Sequence, residues 1–189
     1  MGRVRIIGGR WRGRLLEAPE HPGLRPTPDR VRETLFNWLQ FRIAGARCLD
    51  AFAGSGALGF EAASRGAASV VMLEKNPAVA AGLRKRAREW GGEIEVARAD
   101  SLKWLAAYVG EGFDLAFLDP PFGTGLLADA LSLLSRPGVL REDARIYIER
   151  PAREALPQLP EGWEPVRTKT AGDVAYALIA QNHPRLSAA

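Results

Sequence analysis

From residue 46 onward the chain alternates short apolar runs with amphipathic segments, and this rhythm restricts the fold more than any other feature. ARCLDAF (46–52), SVVMLEK (69–75), EIEVAR (93–98), FDLAFLD (113–119) and ARIYIE (144–149) read as strands, with helices near 57–65, 77–90, 101–109 and 125–135. Strand and helix in turn at this spacing predict right-handed βαβ units, and so an α/β protein with a Rossmann-like, doubly wound, mostly parallel sheet. The end of the chain breaks the rhythm. EPVRTKT, a turn at Ala171, Gly172 and Asp173, and VAYALIA predict a closing hairpin that makes the last strand antiparallel.

The front of the chain reads differently. Val4, Ile6, Trp11 and Leu15 around Gly8-Gly9 predict two short strands joined by a tight turn, a hairpin edged with arginine. A proline-punctuated loop, EAPEHPGLRPTPDR, follows. Thr27 then offers an N-cap and Pro28 a first helical position; Val31, Leu35, Trp38 and Leu39 give one apolar face through about Phe41, with Arg30 and Arg32 on the other. The expected division is a basic hairpin extension and loop over 1–24 and an α/β domain over 25–189. A chain of 189 residues buries roughly 70% of its unfolded surface, so one core suffices.

Charge and cysteine narrow the class. Residues 1–47 hold ten arginines against four acids, a balance of +6 in a chain whose net charge is +4, and such clustering favours a polyanionic partner. Arginine outnumbers lysine 22 to 4 overall, which explains the choice of cation without explaining its clustering. The single cysteine, Cys48, sits in an apolar run as core and suits a reducing compartment. Arginines stand where a signal peptide needs an apolar stretch, and nowhere do about 18 uncharged apolar residues run together, so a soluble, cytoplasmic protein without membrane contact is expected.

The loop AGSGALGF after the first α/β-domain strand places Gly54, Gly56 and Gly59 in a GxGxxG pattern, with Glu74 closing the next strand. That pattern suits NAD and S-adenosylmethionine alike. Asp50, four residues before Gly54, separates them: a carboxylate there serves a cation better than a pyrophosphate, and S-adenosylmethionine carries an ammonium and no phosphate. Glu74 would accept both ribose hydroxyls. Asp100 either accepts from the adenine amine or merely caps the helix it precedes. Phe52, Ser55, Lys75 and Ser101 complete this part of the candidate cofactor set.

LAFLDPPFG (115–123) ends a buried strand with Asp119, Pro120, Pro121 and Phe122. The lone pair of an aromatic amine is delocalised, so its attack on an electrophilic carbon needs acceptors that draw off its N–H bonds. Asp119 and the Pro120 carbonyl are two such acceptors, held by prolines that fix the local backbone, and Phe122 offers a stacking face. An exposed strand-ending turn is the plainer alternative. The histidines, His21 and His183, lie far apart and no cluster has ligand spacing, so no metal is expected.

LDAFAGSGALGFEAASRGA (49–67), VVMLEKN (70–76) and FLDPPF (117–122) resemble the amino-methyltransferases that use S-adenosylmethionine. RIIGGRWRGRLLEAP with RPTPDRVRETLFNWL is similar to the signature of the RsmD family, bacterial 16S rRNA guanine-N2 methyltransferases, and the likeness runs from about Arg5 to the closing hairpin. It implies a methyltransferase domain, S-adenosyl-L-methionine as cofactor, guanine N2 as target, and 16S rRNA in the small ribosomal subunit or its assembly intermediate as partner. Arg3, Arg5, Arg10, Arg12, Arg14 and the segment from Arg25 through Arg30 to Arg32 then become candidate phosphate contacts, with Pro121 beside the base. Against this stand a merely solvated arginine surface, and for Arg25-Pro26-Thr27 a place at the methionine end of the cofactor. The run Arg84, Lys85, Arg86, Arg88 reads as an exposed helix face. A DNA amino-methyltransferase, a non-catalytic RNA-binding assembly factor and an NAD enzyme are the competing functions.

Overall fold

The structure is a computed structural model that describes residues 2–18 and 28–181. Arg25 and Thr27, with the N-cap expected of the latter, lie outside the described residues. The elements run β1 (Gly2–Arg5), a single 3-10 turn (Gly9–Trp11), β2 (Leu15–Ala18), α1 (Asp29–Trp38), β3 (Arg47–Asp50), α2 (Ala57–Ser64), β4 (Ser69–Glu74), α3 (Pro77–Trp90), β5 (Ile94–Arg98), α4 (Ser101–Ala107), β6 (Phe113–Leu118), α5 (Leu126–Leu134), β7 (Leu140–Pro151), β8 (Trp163–Ala171) and β9 (Val174–Gln181).

The large sheet has the order β5-β4-β3-β6-β7-β9-β8, parallel from β5 to β7, with β9 entering antiparallel between β7 and β8. Both faces are covered, and successive residues of one strand feed opposite cores. Cys48, Val70 and Met72 pack with α1, α2 and α3, whereas Leu49, Val71 and Leu73 pack with α4 and α5. Burial on both faces explains why these strands read as continuous apolar runs rather than as alternations. β8 is an edge strand and carries Pro165 at a register shift, the kind of place where a residue without an N–H is tolerated.

Four local expectations need correction. Gly8-Gly9 is no tight hairpin turn: β1 and β2 pair Val4 with Leu16 and Arg5 with Leu15, and the intervening 6–14 connection carries the 3-10 turn that inserts Trp11 into the core. Gly9 is glycine for another reason. Its φ is +77°, and a Cβ there would collide with the Ser64 carbonyl, so only a bare backbone can lie this close to the end of α2. Pro28 occupies the N-cap of α1 instead of its first turn, with ψ at 145°. Arg32 is fully buried, not solvated beside Arg30, and β7 is longer at both ends than 144–149.

Arg32 and Glu61 form a buried clamp between the hairpin and the domain. Glu61 accepts from the backbone N–H of Ile7 (2.8 Å) and Gly8 (2.9 Å) and from Arg65 Nε (2.7 Å), with Arg32 Nη1 at 3.6 Å. Arg32 Nη2 donates to the Arg5 carbonyl at 2.7 Å and to Asp29 at 2.6 Å. Ser64 Oγ accepts from Trp11 N–H and donates to the Gly8 carbonyl. The Glu61 charge is tolerated because its oxygens are met in this way, whereas Arg32 Nε and Nη1 are buried without a hydrogen-bond partner among the described residues. The hairpin is thereby fastened to α2, the helix that follows the glycine loop.

Candidate functional site

The strand order reverses between β3 and β6. βαβ units run outward in both directions from this point, leaving a crevice beyond the carboxyl ends of the two strands, where open α/β sheets bind ligands. A cavity of about 1230 Å³ occupies it, with Asp50, Gly54, Glu74 and Asp100 on one side and Asp119, Pro120, Pro121 and Phe122 on the other. Phe52, Ser55, Lys75 and Ser101 line it as well. Gly56 does not; it is the left-handed N-cap of α2 at φ +77°, where a Cβ would lie 2.7 Å from Leu83 and 2.8 Å from Phe60. Gly59 is there for contact, since a Cβ on it would meet Met72 at 2.5 Å.

The N–H groups of this loop are directed at carboxylates. Gly59 N–H donates to Asp50 Oδ2 and Gly54 N–H to Glu74 Oε2, both at 3.0 Å. A pyrophosphate needs such N–H groups for itself and would meet two acids beside them. An acid-lined cleft instead suits a ligand that brings a cation and hydroxyl donors. Asp50 is 2% exposed, and burial is the main cause that pushes its carboxyl from the ordinary 3.8 up to about 7. N–H donation from Gly59 and Phe52 opposes the rise, while the charge of Glu74 adds to it. Such a group invites a cationic partner.

The remaining acids have structural duties too. Glu74 Oε1 accepts from Asn76 N–H at 2.7 Å, leaving each oxygen one further lone-pair direction. Asp100 caps α4 through Lys103 N–H (3.2 Å) and pairs with exposed Lys75 (3.2 Å). The Lys103 N–H first, with help from the Lys75 side chain, holds its carboxyl below the usual range against the opposing effect of burial. Ser101 Oγ donates to the Ala51 carbonyl and so ties α4 to the loop after β3.

Asp119 follows β6 directly and is half-buried, Pro120 is buried, and Phe122 is 46% exposed. Thr124 Oγ1 donates to the Pro121 carbonyl at 2.7 Å, fixing the chain after the prolines. Below them Tyr147 donates its hydroxyl to buried Glu149 at 2.8 Å. Burial first, and then the charge of Glu149, hold that phenol well above its ordinary range; Asp119 contributes further negative charge. Cys48 is buried in the core, its thiol also pushed up by burial.

Arg3, Arg5, Arg10, Arg12, Arg14 and Arg30 are exposed. Two are braced by rings: the Arg10 guanidinium lies 4.3 Å from the Trp11 centroid and that of Arg14 5.4 Å from Trp90. In the α3 run Arg84, Lys85 and Arg88 are exposed, while Arg86 is half-buried against Trp90. Sequence reasoning missed two features. One is the Glu61 clamp, signalled only by a lone acid in the apolar helix ALGFEAAS. The other is the far wall of the cavity, where Pro151, Ala152, Arg153 and Glu154 meet Asp173 and Val174.

Among the described residues no group of three or more His, Cys, Asp or Glu could hold a metal, and no helix is long and apolar enough to cross a membrane. Residues 4–180 match the model of a family described as "Conserved hypothetical protein 95". The chain is 49% identical over 178 residues (94% of this chain, 89% of the other) to a protein of Escherichia coli strain K12 named "Ribosomal RNA small subunit methyltransferase D". Its identity to the protein of that name from Haemophilus influenzae is 46% over 181 residues, covering 94% and 93%. A solved structure, "Putative methyltransferase yhhF from Escherichia coli", superposes with a TM-score of 0.88 at 44% identity, covering 96% of this chain and 99% of that one.

Proposed function

Given that the chain belongs to the family described as Conserved hypothetical protein 95, the RsmD family, we propose that it transfers a methyl group from S-adenosyl-L-methionine to the exocyclic N2 amine of one guanine in small-subunit rRNA. One observation carries the reading: the acid-lined glycine loop and the Asp119-Pro120-Pro121-Phe122 corner face each other across one cavity at the reversal point of the sheet.

The residues fit this cofactor. Asp50 is a buried carboxyl whose pKa of about 7 leaves it ready to ionise beside an ammonium, and Glu74 retains lone pairs for the ribose hydroxyls. Phe52, Lys75, Asp100 and Ser101 line the part that would enclose the adenine. When bound, the cofactor supplies a methyl group made electrophilic by its sulfonium sulfur. Asp119 and the Pro120 carbonyl then accept the two N–H bonds of the amine, so that its lone pair turns toward that methyl. Transfer would form the N–C bond as the methyl–sulfur bond breaks and S-adenosylhomocysteine leaves, and the proton that the nitrogen sheds would pass to the Asp119 carboxylate. Phe122, half exposed at the rim, stacks on the guanine once it has left its own neighbours.

The partner is the 16S rRNA of the small subunit or its assembly intermediate, in the cytoplasm. Exposed Arg3, Arg5, Arg10, Arg12, Arg14 and Arg30 would hold its phosphates. Arg32, buried under the hairpin, has no part in this. Incubation with labelled cofactor and undermethylated small subunits tests the reading: label should enter a single guanine, located by mass spectrometry of the digested RNA. Label in adenine, in DNA or in protein would overturn it.

A further inference from the structure

The cavity, about 1230 Å³, is larger than the roughly 300–1,000 Å³ that a single small ligand fills, and its far wall lies outside the residues proposed to hold the cofactor. That wall joins the end of β7 to the β8–β9 turn. It is rigid: Ala152 N–H donates to the Asp173 carbonyl at 2.8 Å, Pro151 pairs with Val174 in the sheet, and Glu154 N–H donates back to the Pro151 carbonyl at 3.0 Å. Arg150 braces the same turn by donating to the carbonyls of Pro151 and Glu154. The Ala152–Asp173 bond sets Arg153 and Asp173 beside one rung, both exposed and both lining the cavity. Among the described residues neither side chain has a hydrogen-bond or ion-pair partner, so the fold makes no use of their charges.

A guanine whose N2 lies at Asp119 still presents O6, an acceptor, and N1–H, a donor. Adenine presents the reverse pair. A cation beside a carboxylate complements guanine and repels adenine, because each base edge has its own donor and acceptor order. We propose that Arg153 and Asp173 form the base-reading edge of this site, the guanidinium donating to O6 and the carboxylate accepting from N1–H. The pair thus determines specificity, while Asp119 and Pro120 act on the amine. Asp173 is preferred to Glu154 because its shorter side chain stays beside the rung at which its carbonyl accepts from Ala152 N–H. This assignment rests on the proposed guanine-N2 reaction.

The test uses small subunits carrying either guanine or 2-aminopurine at the modified position, once that position is mapped. 2-Aminopurine keeps the N2 amine but lacks O6, and its N1 accepts instead of donating. The wild-type chain should prefer guanine by at least about ten-fold in kcat/KM. In R153Q and D173N, checked for unchanged cofactor affinity, the guanine rate should fall and the preference shrink toward one. Equal losses on both substrates would make these residues phosphate contacts and overturn the proposal. So would an unchanged preference, or variants whose cofactor affinity falls together with their rate. A wild-type chain that methylates no guanine N2 refutes the underlying reaction instead, and that control is read separately.

Discussion

Replacing Asp50 with asparagine should make the unliganded protein more stable at alkaline pH while removing its grip on the cofactor. The magnitude follows from the buried carboxyl, which titrates near pH 7 in the folded chain against an ordinary 3.8, chiefly because it is buried. At about 1.4 kcal/mol per pKa unit, that gap means ionised Asp50 opposes folding by about 4 kcal/mol. A folded pKa raised above the unfolded one gives stability that is complete below pH 3.8 and lost as pH rises through about 7. The substituted amide keeps an oxygen for Gly59 N–H and does not titrate. The variant and wild type should therefore melt alike near pH 4 and diverge as pH rises, the variant gaining about 8–16 °C at pH 8 for a domain of this size. Thermal unfolding of both proteins from pH 4 to 8, with and without S-adenosylmethionine, checks this. The cofactor should restore wild type and leave the variant unmoved. A melting difference that stays constant with pH, or a variant less stable at pH 8, would refute an uncompensated buried charge at this position.

Asp119→Ala should lower kcat by about 10²–10⁴-fold, with the dissociation constant of the cofactor nearly unchanged in calorimetry; loss of both together would indicate a collapsed cleft instead of a missing acceptor. Glu61→Ala takes the buried carboxylate away from Arg32 and from two backbone N–H groups, and denaturant unfolding should show a loss of about 3–5 kcal/mol, with Arg32 keeping the Asp29 carboxylate and the Arg5 carbonyl. Arg14→Ala should weaken RNA binding by a similar factor at every sequence and reduce the salt-dependence slope by about one. An unchanged slope would leave that arginine as a brace for Trp90 alone.

Where the side-chain pattern is local, the sequence is enough. Strands buried on both faces must be apolar throughout, so β3, β4 and β6 announce themselves. The α3 helix is equally plain, since Asn76 caps it by accepting from Ala78 and Val79 with Pro77 in its first turn. The corner after β6 is legible because prolines and a carboxylate end an apolar run for few other reasons. Elements whose form depends on distant partners escape such reading. Gly8-Gly9 resembles a turn because glycine also serves turns, whereas Ser64, more than fifty residues away, decides its use. Arg32 has the pattern of a solvated residue because an isolated helix exposes whatever its apolar face does not claim; here Glu61 and the Arg5 carbonyl claim it.

By itself, then, the order of residues determined the doubly wound α/β class, the glycine loop and the acid-proline-aromatic corner, because hydrophobic periodicity and backbone stereochemistry act within a few residues. Only the assembled sheet decided that these two stretches share one cavity, that Asp50 is stripped of water, and that Arg153 and Asp173 close the far side. Those properties arise from strand order and desolvation, which join positions far apart along the chain and leave no periodic trace in it.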